Sequence, residues 1–125
     1  MRFLLDTHML IWWLTNARDL PPHFHTTISN PAHQVYVSII SVWEMTIKQS
    51  VGKLRIPADL EQQLERHQFQ LLPLNLAHVR PVADLPLVHR DPFDRLLICQ
   101  AMAEDMVFLS TDRVFRQYTG LKILT

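Results

Sequence analysis

One cysteine, two glycines, no excess charge and no long apolar run already exclude several classes for this 125-residue chain. Cys99 has no partner for an internal disulfide, so a disulfide scaffold fails and a reducing, cytoplasmic setting is expected. Its expected place is inside a helix, as a small buried hydrophobe. Two glycines rule out a collagen-like repeat and a glycine-rich phosphate loop. Twelve Lys and Arg against twelve Asp and Glu leave a net charge of zero. That excludes a polycation gripping nucleic acid by bulk charge, so any such contact needs a local patch. No stretch of ~18 uninterrupted apolar residues exists to cross a membrane. Met1-Arg2-Phe3-Leu4-Leu5 starts like a secretion signal, but Asp6 and His8 break it and no cleavage site follows.

What remains is an ordinary globular composition, 48% hydrophobic, long enough for one domain over residues 1–125 with a sizeable core. Strand-like and helix-like segments alternate, which predicts an α/β domain with a largely parallel sheet. Arg2 to Leu5, Gln34 to Ser38, Phe69 to Leu74, Met106 to Leu109 and Lys122 to Leu124 read as strands. Met9 to Leu14 reads as a helix packed on the first strand, and a weaker helix lies between Pro21-Pro22 and Pro31. Stronger helices span about Ile40 to Ser50, capped near Gly52, and Ala58 to Gln68. Asn75 to Ala83 is a short helix that Pro81 disturbs. Asp91-Pro92-Phe93-Asp94 opens a helix to about Glu104, with Asp91 as its cap and Pro92 at the first position. A short helix over Arg113 to Tyr118 precedes the last strand.

Four acids sit in costly places. Asp6 ends the first strand, and open parallel sheets bind ligands beyond their carboxyl ends; helix capping is its plainer role. Glu44 falls within the apolar spacing of Ile40, Trp43, Ile47 and Val51, where a carboxylate needs a compensating charge. Pairing with Lys48 at i+4 is the simpler alternative. Asp94 shares a face with Leu97, Ile98 and Ala101. Asp112 closes the fourth strand and could also be a turn or cap residue. Carboxylates held together repel, and a hard divalent cation such as Mg²⁺ or Mn²⁺ relieves that repulsion. Such a cluster points to metal-assisted chemistry on a phosphate ester.

The ordered motifs Leu4-Leu5-Asp6-Thr7-His8, Ser41-Val42-Trp43-Glu44, Asp91-Pro92-Phe93-Asp94-Arg95-Leu96-Leu97 and Ser110-Thr111-Asp112 resemble the PIN-domain nucleases, more narrowly the VapC-type toxins of toxin–antitoxin pairs. The resemblance spans nearly the whole chain. It implies a three-layer α/β/α sandwich around a small, mostly parallel sheet of about five strands. It also implies that Asp6, Glu44, Asp94 and Asp112 are the catalytic, metal-binding acids, with Mg²⁺ or Mn²⁺ as cofactor. The implied substrate is RNA, the implied partner a small antitoxin, and the implied assembly a homodimer. Thr7, Ser41 and Thr111 would support these acids. Arg90, Arg95, Arg113 and Arg116 would supply a basic rim for RNA, and His8 or His89 could contact a phosphate.

Other features are blander. His23-Phe24-His25 lacks a completing ligand for zinc. Trp12 and Trp13 could stack on a base, but core or dimer packing suits an apolar helix better. A phosphoacceptor receiver domain has similar size and alternation, yet it wants adjacent acids after the first strand, where Asp6 stands alone. A non-catalytic PIN-like binding scaffold is the third reading.

Overall fold

A computed structural model describes all of residues 1–125. Five strands, β1 (Arg2–Leu5), β2 (Gln34–Ser38), β3 (Phe69–Leu72), β4 (Val107–Leu109) and β5 (Ile123–Leu124), form one sheet in the order β3-β2-β1-β4-β5. Every pairing is parallel, with Phe3 opposite both Val35 and Val107. Parallel neighbours require crossovers, and six helices supply all but the last, from β4 to β5, which a 3₁₀ turn makes: α1 (Thr7–Leu14), α2 (Pro22–Ser29), α3 (Ile39–Ser50), α4 (Leu60–Arg66), α5 (Leu76–Val79) and α6 (Pro92–Ala103).

Alternation along the strands divides the core into two layers. Phe3, Leu5, Val35 and Val37 pack on one face with Met9 and Leu10 of α1, Phe24 and Ile28 of α2, and Leu64 of α4. Leu4 and Phe108 point the other way, onto Leu97, Ile98 and Ala101 of α6 and onto Phe115 and Tyr118. Helix α3 contributes to both, Ile40 to the second layer and Met45 to the first. The result is the expected three-layer α/β/α sandwich. Cys99 is buried in α6, and burial pushes its thiol up, which suits an inert packing role.

Several boundaries differ from expectation for local reasons. Helix α1 starts at Thr7 rather than Met9, because Asp6 already has the extended backbone of an N-cap. Strand β3 stops at Leu72, before Pro73, which has no N–H to offer the ladder. The Asn75 to Ala83 helix splits into α5 and a 3₁₀ turn, Arg80–Asp84, that contains Pro81. A 3₁₀ turn, Arg113–Gln117, also replaces the helix expected there.

The larger correction concerns α3. Its buried side is Ile40, Ser41, Glu44 and Met45, not the Ile40–Trp43–Ile47–Val51 stripe. Trp43 is 56% exposed, and Ile47 and Val51 are exposed as well. Both sets recur at helical spacing, and the helix's position between the two core layers selects the one that carries the carboxylate. Trp12 and Trp13 pack partly buried against the first layer, with Trp13 edge-on to His67 and 5.7 Å from the Phe69 ring.

Candidate metal centre

Strand β1 lies centrally, with β2 and β3 on one side and β4 and β5 on the other. The crevice beyond β1 and β4 is therefore the topological switch point of the sheet, where open α/β folds place their ligands. Asp6 stands there as the first residue after β1, its backbone N–H donating to Leu109 across the junction at 2.9 Å. Its side chain makes no cap hydrogen bond to α1, so the capping role does not explain it. The carboxyl is buried, and Ser110 Oγ donates to Oδ2 at 2.7 Å. Oδ1 is buried without any partner.

Glu44 faces the same region from α3. It is 6% exposed; Lys48 Nζ lies 2.9 Å from Oε2, while Oε1 is buried and unpartnered. Beside it, the buried Thr7 hydroxyl donates to Ser41 Oγ at 2.9 Å. Asp94 comes from the first turn of α6, half-buried. That turn is fixed by Asp91, whose Oδ1 accepts from the N–H groups of Phe93 and Asp94. Asp91 is thus the expected cap. Asp112 is the most exposed of the acids, with 51% of its side chain accessible. It caps the 3₁₀ turn through Val114 N–H at 3.0 Å.

A residue given only a minor part by sequence joins these last two acids. His89 Nδ1 accepts the N–H of Asp91 at 3.1 Å, which leaves Nε2 carrying the ring proton. Nε2 lies 3.2 Å from Asp94 Oδ2 and 3.7 Å from Asp112 Oδ2. The ring stacks on Phe115, centroids 5.2 Å apart. Its loop is tied down by Arg95, whose guanidinium donates to the carbonyls of Val82, Leu85, Pro86 and His89. Arg95 therefore clamps the loop. Arg90, Arg113 and Arg116 are exposed, Arg116 bonding to Thr125 Oγ1. His8 is exposed beside Trp12.

The electrostatics follow from this crowding. Burial pushes the Asp6 carboxyl up, against the lowering influence of the Ser110 hydrogen bond; the charge of Glu44 raises it further. Asp94 is pushed up to about 8, first by burial and then by the negative charges of Asp6, Asp91, Glu44 and Asp112. Asp6, Glu44 and Asp94 thus form one electrostatic unit, with Asp112 at its edge.

These residues fit a hard divalent cation in kind: their donors are carboxylate oxygens, and two of them, Asp6 Oδ1 and Glu44 Oε1, are buried with nothing to satisfy them. No three acid, histidine or cysteine side chains are gathered closely enough to share one ion. Each acid instead leans on its own neighbour: Asp6 on Ser110, Glu44 on Lys48, Asp94 on His89. Ser110 and Lys48 were not read as site residues from the sequence. The i, i+4 spacing of Lys48 from Glu44 was legible, whereas Ser110 lies 104 residues from Asp6. Two sizeable cavities, about 510 and 420 Å³, lie elsewhere, and none of the four acids lines either.

Residues 3–121 match the PIN-domain family model. The chain belongs to the PIN-domain family. No curated protein matches this PIN domain in sequence. Among solved structures it is similar to VapBC2 from Rickettsia felis bound to a promoter DNA fragment, with a TM-score of 0.71 at 14% identity, covering 99% of this chain and 98% of that one. It is similar also to DNA-bound VapBC from Salmonella typhimurium, with a TM-score of 0.68 at 16% identity, covering 99% of this chain and 97% of that one. A third is FitAcB from Neisseria gonorrhoeae, with a TM-score of 0.66 at 18% identity, covering 98% and 96%. At these identities the likeness establishes the fold of the PIN domain.

Proposed function

We propose that this PIN domain is a metal-dependent endoribonuclease, hydrolysing RNA phosphodiester bonds as the toxin of a toxin–antitoxin pair. The observation that carries the reading is the buried Asp6–Glu44–Asp94 unit at the switch point, with its two orphaned carboxylate oxygens. Solvated carboxylates would cost little, whereas Asp6 and Asp94 are held where burial disfavours their charge. Mg²⁺ or Mn²⁺ drawn to Asp6, Glu44 and Asp94, whose side chains would have to close in on it, with Asp112 at the edge, would supply positive charge to phosphate oxygens and make water a better nucleophile.

The chain's own residues do the rest. Ser110 and His89 orient the carboxyls of Asp6 and Asp94, and Asp91 fixes the turn that presents Asp94. None of the four acids lines a sizeable cavity, which suits a polymer rather than an enclosed small molecule, and exposed Arg90 and Arg113 lie next to Asp91 and Asp112 in sequence for steering a phosphate backbone.

The antitoxin partner is supported by the VapBC and toxin–antitoxin assemblies among the structural neighbours. The exposed apolar side of α3, Trp43, Ile47 and Val51, is surface that a protein partner or a second copy would cover. A cytoplasmic setting with a homodimer completes the reading. The test is cleavage of a mixed RNA pool with Mg²⁺ or Mn²⁺, with EDTA and Asp94→Asn as parallel controls. Cutting that vanishes in both controls supports the nuclease; undiminished cutting by folded Asp94→Asn removes the proposed site.

A further inference from the structure

We propose that Lys48 is a built-in cation of the acid centre, standing where a second divalent ion would otherwise serve, so that the centre takes a single ion. The proposal rests on the nuclease reading above and deepens it. Lys48 is the one Lys or Arg side chain within ion-pair distance of any of the four acids; the remaining pairs, Arg2 with Glu104 and Lys122 with Asp105, lie elsewhere. Arg95, next to Asp94 in sequence, is committed to loop carbonyls.

The pair is not an ordinary exposed i, i+4 contact. Glu44 is 6% exposed, and its Oε1 has no other partner. A carboxylate so placed needs a counter-charge close by. Lys48 brings it from a side chain that is itself 36% exposed.

The end of α3 holds the lysine in place. Lys53 N–H donates to Lys48 C=O at 2.9 Å and Gly52 N–H to Gln49 C=O at 3.0 Å, the double closure of a Schellman end. Gly52 takes the left-handed backbone that this closure demands, φ +76°. The Lys48 backbone is thereby pinned one turn beyond Glu44.

Charge balance then limits the number of ions. Ionised Asp6, Glu44 and Asp94 carry three negative charges; Lys48 and one divalent ion bring three positive. Beyond these three acids a second ion would have only the free oxygens of Asp91, whose Oδ1 caps α6, and of Asp112, which is half exposed and caps its own turn through Oδ1. Lys48 also keeps Glu44 Oε2 occupied and leaves Oε1 as that residue's single oxygen free to meet an ion. No hydrogen bond ties Nζ to another acceptor in the chain, so its further donors are free for a phosphate oxygen.

The deciding experiment is a Mn²⁺ titration of the intact chain, followed by electron paramagnetic resonance and calorimetry. It compares the wild type with Lys48→Met, Lys48→Gln and Lys48→Arg, with thermal unfolding to verify folding and RNA cleavage run alongside. The expected wild-type stoichiometry is one ion per chain. Lys48→Met and Lys48→Gln should bind Mn²⁺ more tightly, on the order of tenfold, or admit a second ion, since a positive charge near the ion has gone. The same variants should cleave more slowly, and Lys48→Arg should restore both properties towards wild type. Tighter metal binding with slower cleavage is a combination that a merely structural lysine would not produce. Two ions in an active wild type, or unchanged Mn²⁺ affinity in folded Lys48→Met and Lys48→Gln, overturns the lysine assignment and leaves the nuclease reading intact. A folded wild type that binds no Mn²⁺ and cuts nothing overturns both.

Discussion

Ser110 Oγ and Asp6 Oδ2 meet at 2.7 Å across the junction of β1 and β4, joining residues 104 positions apart at the switch point of the sheet. The same Ser110 Oγ accepts the N–H of Asp112 at 3.1 Å. One hydroxyl thus orients the buried acid and the loop that carries the exposed one. Ser110→Ala should lower stability by about 1–3 kcal/mol, the cost of leaving a buried polar group short of a hydrogen-bond partner. Urea unfolding measures the loss, and Mn²⁺ affinity should fall with it. Unchanged affinity would mean that Asp6 does not need Ser110 to face an ion.

Asp94→Asn tests the repulsion within the centre. The Asp94 carboxyl is raised from 3.8 to about 8 in the folded chain, so the folded state keeps a proton that the unfolded state has lost. Wild-type stability therefore declines as pH rises from about 4 through 8, by this group's contribution. Asparagine cannot ionise and escapes that decline. In EDTA, the Asn variant should match wild type near pH 4 and exceed it at pH 9 by on the order of 1–2 kcal/mol, a figure discounted for solvent screening of a half-buried group. Thermal unfolding across that range measures it, and parallel curves would show that Asp94 is not under strain.

Metal binding should release a proton. At pH 7 Asp94 is mostly protonated in the metal-free chain, whereas a ligating carboxylate must be ionised. Calorimetric Mn²⁺ titrations in two buffers of different ionisation enthalpy should give close to one proton released at pH 7 and few at pH 9. Equal heats in the two buffers at pH 7 would exclude Asp94 as the titrating ligand.

Arg95→Met separates a clamp from an RNA contact. Losing its hydrogen bonds to Val82, Leu85, Pro86 and His89 should destabilise the fold by roughly 2 kcal/mol and speed amide exchange over residues 82–90. Arg90→Ala and Arg113→Ala, both at exposed positions, should weaken RNA binding in a salt-dependent way with stability within about 0.5 kcal/mol of wild type. RNA binding lost in Arg95→Met with exchange unchanged would reverse the assignment.

The local code was strong where a few adjacent residues suffice. Alternating strand and helix patterns are enough for the α/β class, and Asp91-Pro92 marks the start of α6 without ambiguity, because a cap and a proline at the first turn are satisfied within four residues. The four acids could be picked out because a carboxylate after a strand or within an apolar helix face is conspicuous in any sequence. Glycine 52 announced the end of α3 for the same local reason.

Tertiary structure decided what depends on distant partners. Periodicity made α3 a helix but allowed two apolar sides, and only its place between the two core layers buried Glu44 and exposed Trp43. Arg95 looked like a surface cation until the loop from Val82 to His89 folded back over it. Parallel strands are neighbours only through long crossovers, so nothing near Asp6 in the chain foretells Ser110, and nothing near Asp112 foretells that His89 links it to Asp94. Residue type and spacing named the acids; the order of strands in the sheet chose the groups that hold and charge-balance them.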